Sequence, residues 1–257
     1  MHYFVKACLL IAFVSSAAAA QQAPPVAENQ NQLDGILERW EQEMRSIQTI
    51  SAKCVRTSLD KTAVMNQQET FEGTAKYMKP NLAMLEMRLH GRPDVFEKFI
   101  CTGTYLYEYA PANRQIRVHE LPPPKPGQVA DDNLLSFLFG MKAEEAHRRY
   151  ALKLADQSEW YYYIDILPRF PQDKADFQKA RLVLNKQNFL PRQLWFMQPN
   201  GNEIRWDIPK IESGAAINRQ EFLSPQIPQG WQLVRVPRPT ADASRLDGPP
   251  RVVRPNR

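Results

Sequence analysis

The side chains that could do covalent, acid–base or metal chemistry are few in this chain, and they are scattered. Cys54 lies in AKCVR and Cys101 in FICTG, and neither belongs to a CxxC pair. His90, His119 and His147 stand far apart, without the close spacing of a zinc site. A cysteine nucleophile needs a base in reach, and no histidine is near Cys54 in the sequence. GxSxG, P-loop, GxGxxG and HExxH motifs are absent. Asp131-Asp132 and Glu144-Glu145 are adjacent acids. A hard cation wants six or more converging oxygens, so such pairs read as solvated helix caps. Tyr105, Tyr107 and Tyr109, and the run Trp160-Tyr161-Tyr162-Tyr163, offer ring faces that could stack on bases or sugars. At alternate strand positions they read first as cross-strand packing. The expectation is a protein that is not an enzyme and holds no metal and no cofactor.

The elements that would position these residues follow from periodicity. Leu33, Ile36, Leu37, Trp40, Met44 and Ile47 trace one face of a helix, with Glu38, Arg39, Glu41 and Arg45 opposite. The period then becomes two. Strands are expected at 50–59, 71–78, 82–89, 95–102, 105–109 and 115–121, separated by turns such as Gly91-Arg92-Pro93-Asp94. After Pro122–Gly127, the stretch 131–140 (DDNLLSFLFG) reads as a short, very apolar helix, and 143–150 as a charged one. Strands resume at 150–155, 160–167, 180–185, 190–198 and 203–213, with Asn200-Gly201 marking a tight hairpin. Residues 222–234 are a last extended segment broken by Pro225 and Pro228. One domain of about ten or eleven antiparallel strands results, an α+β and mainly β fold. Its curved sheet would bury the helix stripe and the 134–139 insert on the concave face.

The chain has 257 residues with 43% hydrophobic and 24% charged side chains, ordinary for a folded protein. Mean hydropathy is −0.50, which excludes a polytopic membrane protein. Residues 1–20 read as a secretory signal peptide: Lys6, the apolar run Ala7–Val14, and a small-residue site at Ala18-Ala19-Ala20. An exported, periplasmic or extracellular protein follows, where a disulfide between Cys54 and Cys101 could persist. Buried reduced thiols are the alternative. Residues 21–32 are polar and read as a disordered lead-in to a domain at 33–235. Residues 236–257, with five arginines and five prolines, read as a disordered basic tail. The net charge of +5 sits largely at the termini, so no nucleic-acid partner is expected.

The order of motifs resembles the periplasmic outer-membrane lipoprotein carriers, the LolA-like family. The resemblance runs from Leu33 to about Arg235. It lies in ISAKCVRTS after the helix, in FEGTAKYMKPNLAMLEM (71–87), in GTYLYEYAP (103–111) with Gln115, and in LPRQLWFMQPNGNEIRWDI (190–208) followed by Phe222 and Pro228-Gln229-Gly230. It implies an unclosed half β-barrel around an apolar cavity, with helices as a lid. Ala75, Tyr77, Ala83, Leu85, Met87, Leu89 and Tyr107 would line that cavity. Leu134, Leu135, Phe137, Leu138 and Phe139 would form the lid. The family's latch arginine before proline corresponds to Lys79, a point charge in place of a planar fork. The function implied is carriage of an acylated or otherwise hydrophobic ligand, a lipoprotein or lipid, by a monomer with only transient membrane contact. The alternative is an envelope protein-binding or scaffold protein with the same fold and a filled core.

Overall fold

Straight-chain Glu and Gln favour a helix, and a proline is well tolerated at its first position. The helix accordingly begins before the apolar stripe does: α1 spans Pro25–Ser46. This corrects the disordered lead-in expected over 21–32, of which residues 25–32 are helical. The computed structural model describes residues 25–63, 67–121 and 142–237. The signal-peptide, 134–139 lid and tail readings therefore fall on residues outside it, apart from Val236 and Pro237. Gln30 Nε2 donates to Asp34 Oδ1 at 3.0 Å one turn on, and Arg39 pairs with Glu43 at 2.5 Å on the outer face. Leu33, Ile36, Leu37, Trp40, Met44 and Ile47 are all buried, as their spacing predicts.

Twelve strands form one sheet: β1 Thr49–Asp60, β2 Gln67–Met78, β3 Leu82–Leu89, β4 Arg92–Thr102, β5 Tyr105–Ala110, β6 Gln115–Glu120, β7 Tyr150–Gln157, β8 Tyr161–Pro168, β9 Lys179–Asn185, β10 Pro191–Met197, β11 Glu203–Ser213 and β12 Gln232–Val236. The spatial order is β12-β6-β5-β4-β3-β2-β1-β11-β10-β9-β8-β7, so two meanders join where β1 meets β11. The sheet is open, with β12 and β7 at its edges. Gly201 (φ +83) makes the β10–β11 turn that Asn200-Gly201 predicts.

Ten antiparallel pairings match the expected meander, but β12 lies parallel to β6. The connection after β11 explains this. It leaves at Gly214, crosses the outer face of β3 and β4 through a 3-10 turn at Arg219–Phe222, and reaches β6 at the Gln115 end. A strand that starts at that end of β6 must run alongside it. Phe222 is 2% exposed, and Lys76 pairs with Glu221, so this connection is packed down rather than extended.

β2 and β3 approach each other closely at one point. A Cβ on Gly73 would lie 1.9 Å from Glu86 O and 2.8 Å from Met87 Cα. Only glycine admits so close a backbone approach. A twelve-stranded open sheet curls, and α1 lies on its concave side, in one core with Ile50, Ala52, Cys54 and Met87. Two short helices join it there: α2 (Ala143–Arg149) and α3 (Pro171–Asp176). Glu41 Oε2 accepts from Ala143 N at 2.9 Å, and His147 meets Asp34 at 3.1 Å, so α2 runs antiparallel to α1. The α3 helix was not expected from periodicity; Pro171 starts it, and buried Asp173 binds Arg149 at 2.5 Å.

Candidate functional site

Strand register decides which side chains share the concave face. Ala75 faces Ala52 on β1 and Leu85 on β3; Tyr77 faces Ile50 and Ala83; Gly73 faces Cys54 and Met87. Ala75, Tyr77, Ala83, Leu85, Met87 and Leu89 thus lie together on the helix-covered side. Met87, Leu89 and Tyr77 are buried, whereas Ala75, Ala83 and Leu85 are only partly so. A small cavity of about 30 Å³ opens beside them, lined chiefly by Ile50, Ala52, Cys54, Ala75, Tyr77, Ile208 and Ile211. That is room for about one water-sized group.

Tyr107 does not belong to this set. Ala83 pairs with Cys101 and Cys101 with Leu106, which puts Leu106 on the concave parity and Tyr107 on the other side. There Tyr107 packs with Ile100, Ile116 and Val118, and its hydroxyl meets Ser224 Oγ at 2.8 Å. The convex face is thus apolar here too, because the C-terminal connection buries it.

Lys79 is a latch of a different kind from the one the resemblance implies. Its ammonium donates to Arg45 O, and its backbone N–H donates to Gln48 O at 2.9 Å. A cation on the last carbonyls of a helix is well placed against the helix dipole. The contact therefore fastens the C-terminal end of α1 to the β2–β3 turn. The lid residues Leu134, Leu135, Phe137, Leu138 and Phe139 lie outside the described residues.

Of the two readings left open for Cys54 and Cys101, the structure has the free thiols. They stand on β1 and β4, three strands apart, or roughly 14 Å at normal strand spacing. A disulfide requires Cα atoms within about 7 Å. Burial pushes the Cys54 thiol up to about 11 against a backbone hydrogen bond from Ala75 that lowers it, and burial also raises Cys101 and the Tyr77 phenol. Neither thiol is poised as a nucleophile.

Two features of the concave face stand outside the site residues that the sequence predicts. Trp40 Nε1 is buried on α1 with no acceptor among the described residues. Arg56 continues the Ile50–Ala52–Cys54 parity of β1, pairs in register with Phe71 and Trp206, and forks onto Glu97 of β4 at 2.6 and 2.7 Å. The signal was present: a charge at an apolar parity in two strands. Among the described residues no cluster of His, Cys, Asp and Glu could hold a metal ion. The arrangement offers apolar surface and hydrogen-bond donors, which suits holding an amphiphile.

No family model matches the sequence, and no curated protein matches it. Solved structures do resemble it. One is an uncharacterized conserved protein from Thermus thermophilus, 11% identical with a TM-score of 0.49, the match covering 80% of this chain and 99% of that one. Another is a LolA superfamily protein from Nitrosomonas europaea, 12% identical with a TM-score of 0.36, covering 74% of this chain and 96% of that one. A third is the MucA/MucB complex of Pseudomonas aeruginosa, 12% identical with a TM-score of 0.43, covering 76% of this chain and 61% of that one.

Proposed function

We propose that this protein is an exported, non-enzymatic carrier or binder of acylated or other hydrophobic ligands, taken up on the concave face beneath α1. The observation that carries the reading is the partly buried apolar strip Ala75, Ala83 and Leu85 beside the small cavity lined by Ile50, Ala52 and Ile211. The cavity alone cannot hold an acyl chain, so α1 must yield. Five buried apolar side chains of α1 contribute about 1.5–3 kcal/mol each, or roughly 8–15 kcal/mol together. A sixteen-carbon chain at about 0.8 kcal/mol per methylene contributes roughly 12 kcal/mol. The two are of the same order, so a ligand can exchange with part of the helix stripe at little net cost. Lys79 holds the C-terminal end of α1, so the moving part is the rest of the helix together with α2, which Glu41 and Asp34 tie to it. The protein would act as a monomer touching membranes only transiently.

The second reading, a protein-binding envelope factor with a filled core, is favoured by the tight burial of Leu33, Leu37 and Trp40 on α1. Leu85→Glu separates the two. Leu85 is only partly buried, so the variant should fold, while uptake of a fluorescent acyl probe should drop at least about tenfold, since a charge on an apolar face is costly to bury. Undiminished uptake in a folded Leu85→Glu protein removes the concave face as the binding surface.

A further inference from the structure

We infer that Arg56 anchors the oxyanion of an amphiphilic ligand, a carboxylate or phosphate at the end of an apolar chain, with Glu97 holding that place until the ligand arrives. The inference rests on the concave-face reading and specifies the ligand's polar end.

The geometry runs along one strand. Ile50, Ala52 and Cys54 line the small cavity, and Arg56 is the next residue on the same parity. At about 3.4 Å per residue it lies roughly 7 Å beyond Cys54. A chain lying in the trough thus meets a cation one strand-pleat past the apolar stretch. The guanidinium is held on both sides: its centre is 4.6 Å from the ring centroid of Phe71 and 5.5 Å from that of Trp206. Such contacts fix a planar guanidinium and leave its edge to an anion.

That edge is taken by a carboxylate. Glu97 reaches over from β4 and accepts from Nη1 and Nη2, the two-pronged geometry that any carboxylate or phosphate would adopt. The pair is asymmetric. The Arg56 side chain is 17% exposed and clamped by two rings; the Glu97 side chain is 34% exposed and free to turn into water. Arg56 Nε is buried without an acceptor among the described residues, a donor that Glu97 leaves unused. Exchange of Glu97 for a ligand oxyanion swaps one desolvated pair for another, so the arginine pays no second desolvation cost. Stability gives no reason to place an ion pair on an apolar face, because apolar residues of similar volume do as well or better there.

The test uses the full chain and displacement of the neutral dye Nile red by four sixteen-carbon compounds: hexadecanoate, hexadecyl phosphate, methyl hexadecanoate and hexadecyltrimethylammonium. The wild type should prefer at least one oxyanion over the methyl ester by about tenfold or more, and should bind the cation least. Whichever anion shows the preference names the source, carboxylate or phosphate. Arg56→Met should bring the anions down to the ester's affinity or below it, because the Glu97 carboxylate it leaves behind repels them. Arg56→Lys, which keeps the charge and loses the fork, should lower anion affinity severalfold and covers the case in which the methionine variant does not fold. Glu97→Gln should tighten anion binding, since the resident competitor has lost its charge. No preference in the wild type, or a preference that survives in Arg56→Met or is unchanged in Arg56→Lys, overturns the anchor while ester binding still upholds the concave face. Failure of all four compounds to displace the dye overturns both.

Discussion

Replacing Gly73 with alanine tests the close backbone approach of β2 and β3 beneath α1. Glycine to alanine at an unstrained strand position stabilises a protein by about 0.4–1 kcal/mol, because the unfolded chain loses freedom. Here the sign should reverse. The new Cβ would stand 1.9 Å from Glu86 O, where contacts under 3.0 Å are essentially never seen. β3 must therefore retreat from β2 by about 1.1 Å at the Gly73–Met87 pair. That shift disrupts two or three ladder hydrogen bonds, at about 1 kcal/mol each. It also opens space around Met87, which is fully buried. A loss of about 3 kcal/mol results, read as a fall of at least about 1 M in the urea midpoint. Gly35→Ala is the internal control: Gly35 is exposed on α1 with nothing within 4 Å, so this change should stabilise by up to about 1 kcal/mol. A Gly73→Ala protein as stable as the wild type would refute the close crossing of β2 and β3.

Cys54 gives a pH prediction. Burial raises its thiol from 9.0 to about 11, so its proton is held more tightly in the folded state. That contribution is fully present below pH 9 and is lost as pH climbs toward 11, to the extent of about 2–3 kcal/mol. Cys54→Ala should remove this part of the alkaline loss in urea titrations at pH 8, 9, 10 and 11; an identical decline in the variant would refute it. Asp173→Ala should cost about 2–3 kcal/mol in the same assay, because it leaves the Arg149 guanidinium, now 2.5 Å from Asp173 Oδ1, with Glu145 at 3.9 Å. A change below about 0.5 kcal/mol would show that the α2–α3 tie carries no load.

Helix and strands are legible wherever one face is buried and the other is wet. The α1 stripe, the β2–β3 pair and the β10–β11 hairpin all follow from periodicity and turn residues. Legibility fails where both faces are covered. The alternation YLYEY shows that the tyrosines share a side, yet nothing in it says which side, and one residue of register reverses the answer. The convex face of β3–β6 is apolar because residues from the far end of the chain, Phe222 and Trp231 among them, pack on it. That partner is invisible to a local reading. The helix start was obscured for another reason: residues 25–32 carry no apolar stripe, so nothing periodic marks them. Arg56 and Glu97 were hidden by their distance in the chain, since only the β1-to-β4 order brings them together.

The proposed function requires the concave face to hold acyl chains. Its most direct test is organic extraction of the full chain, purified without detergent, followed by mass spectrometry of the extract. Acylated species should appear at close to one per protein and fall to background in the Leu85→Glu variant. A wild-type protein that is folded, carries no acyl species and takes up none when mixed with acyl-bearing vesicles would contradict it.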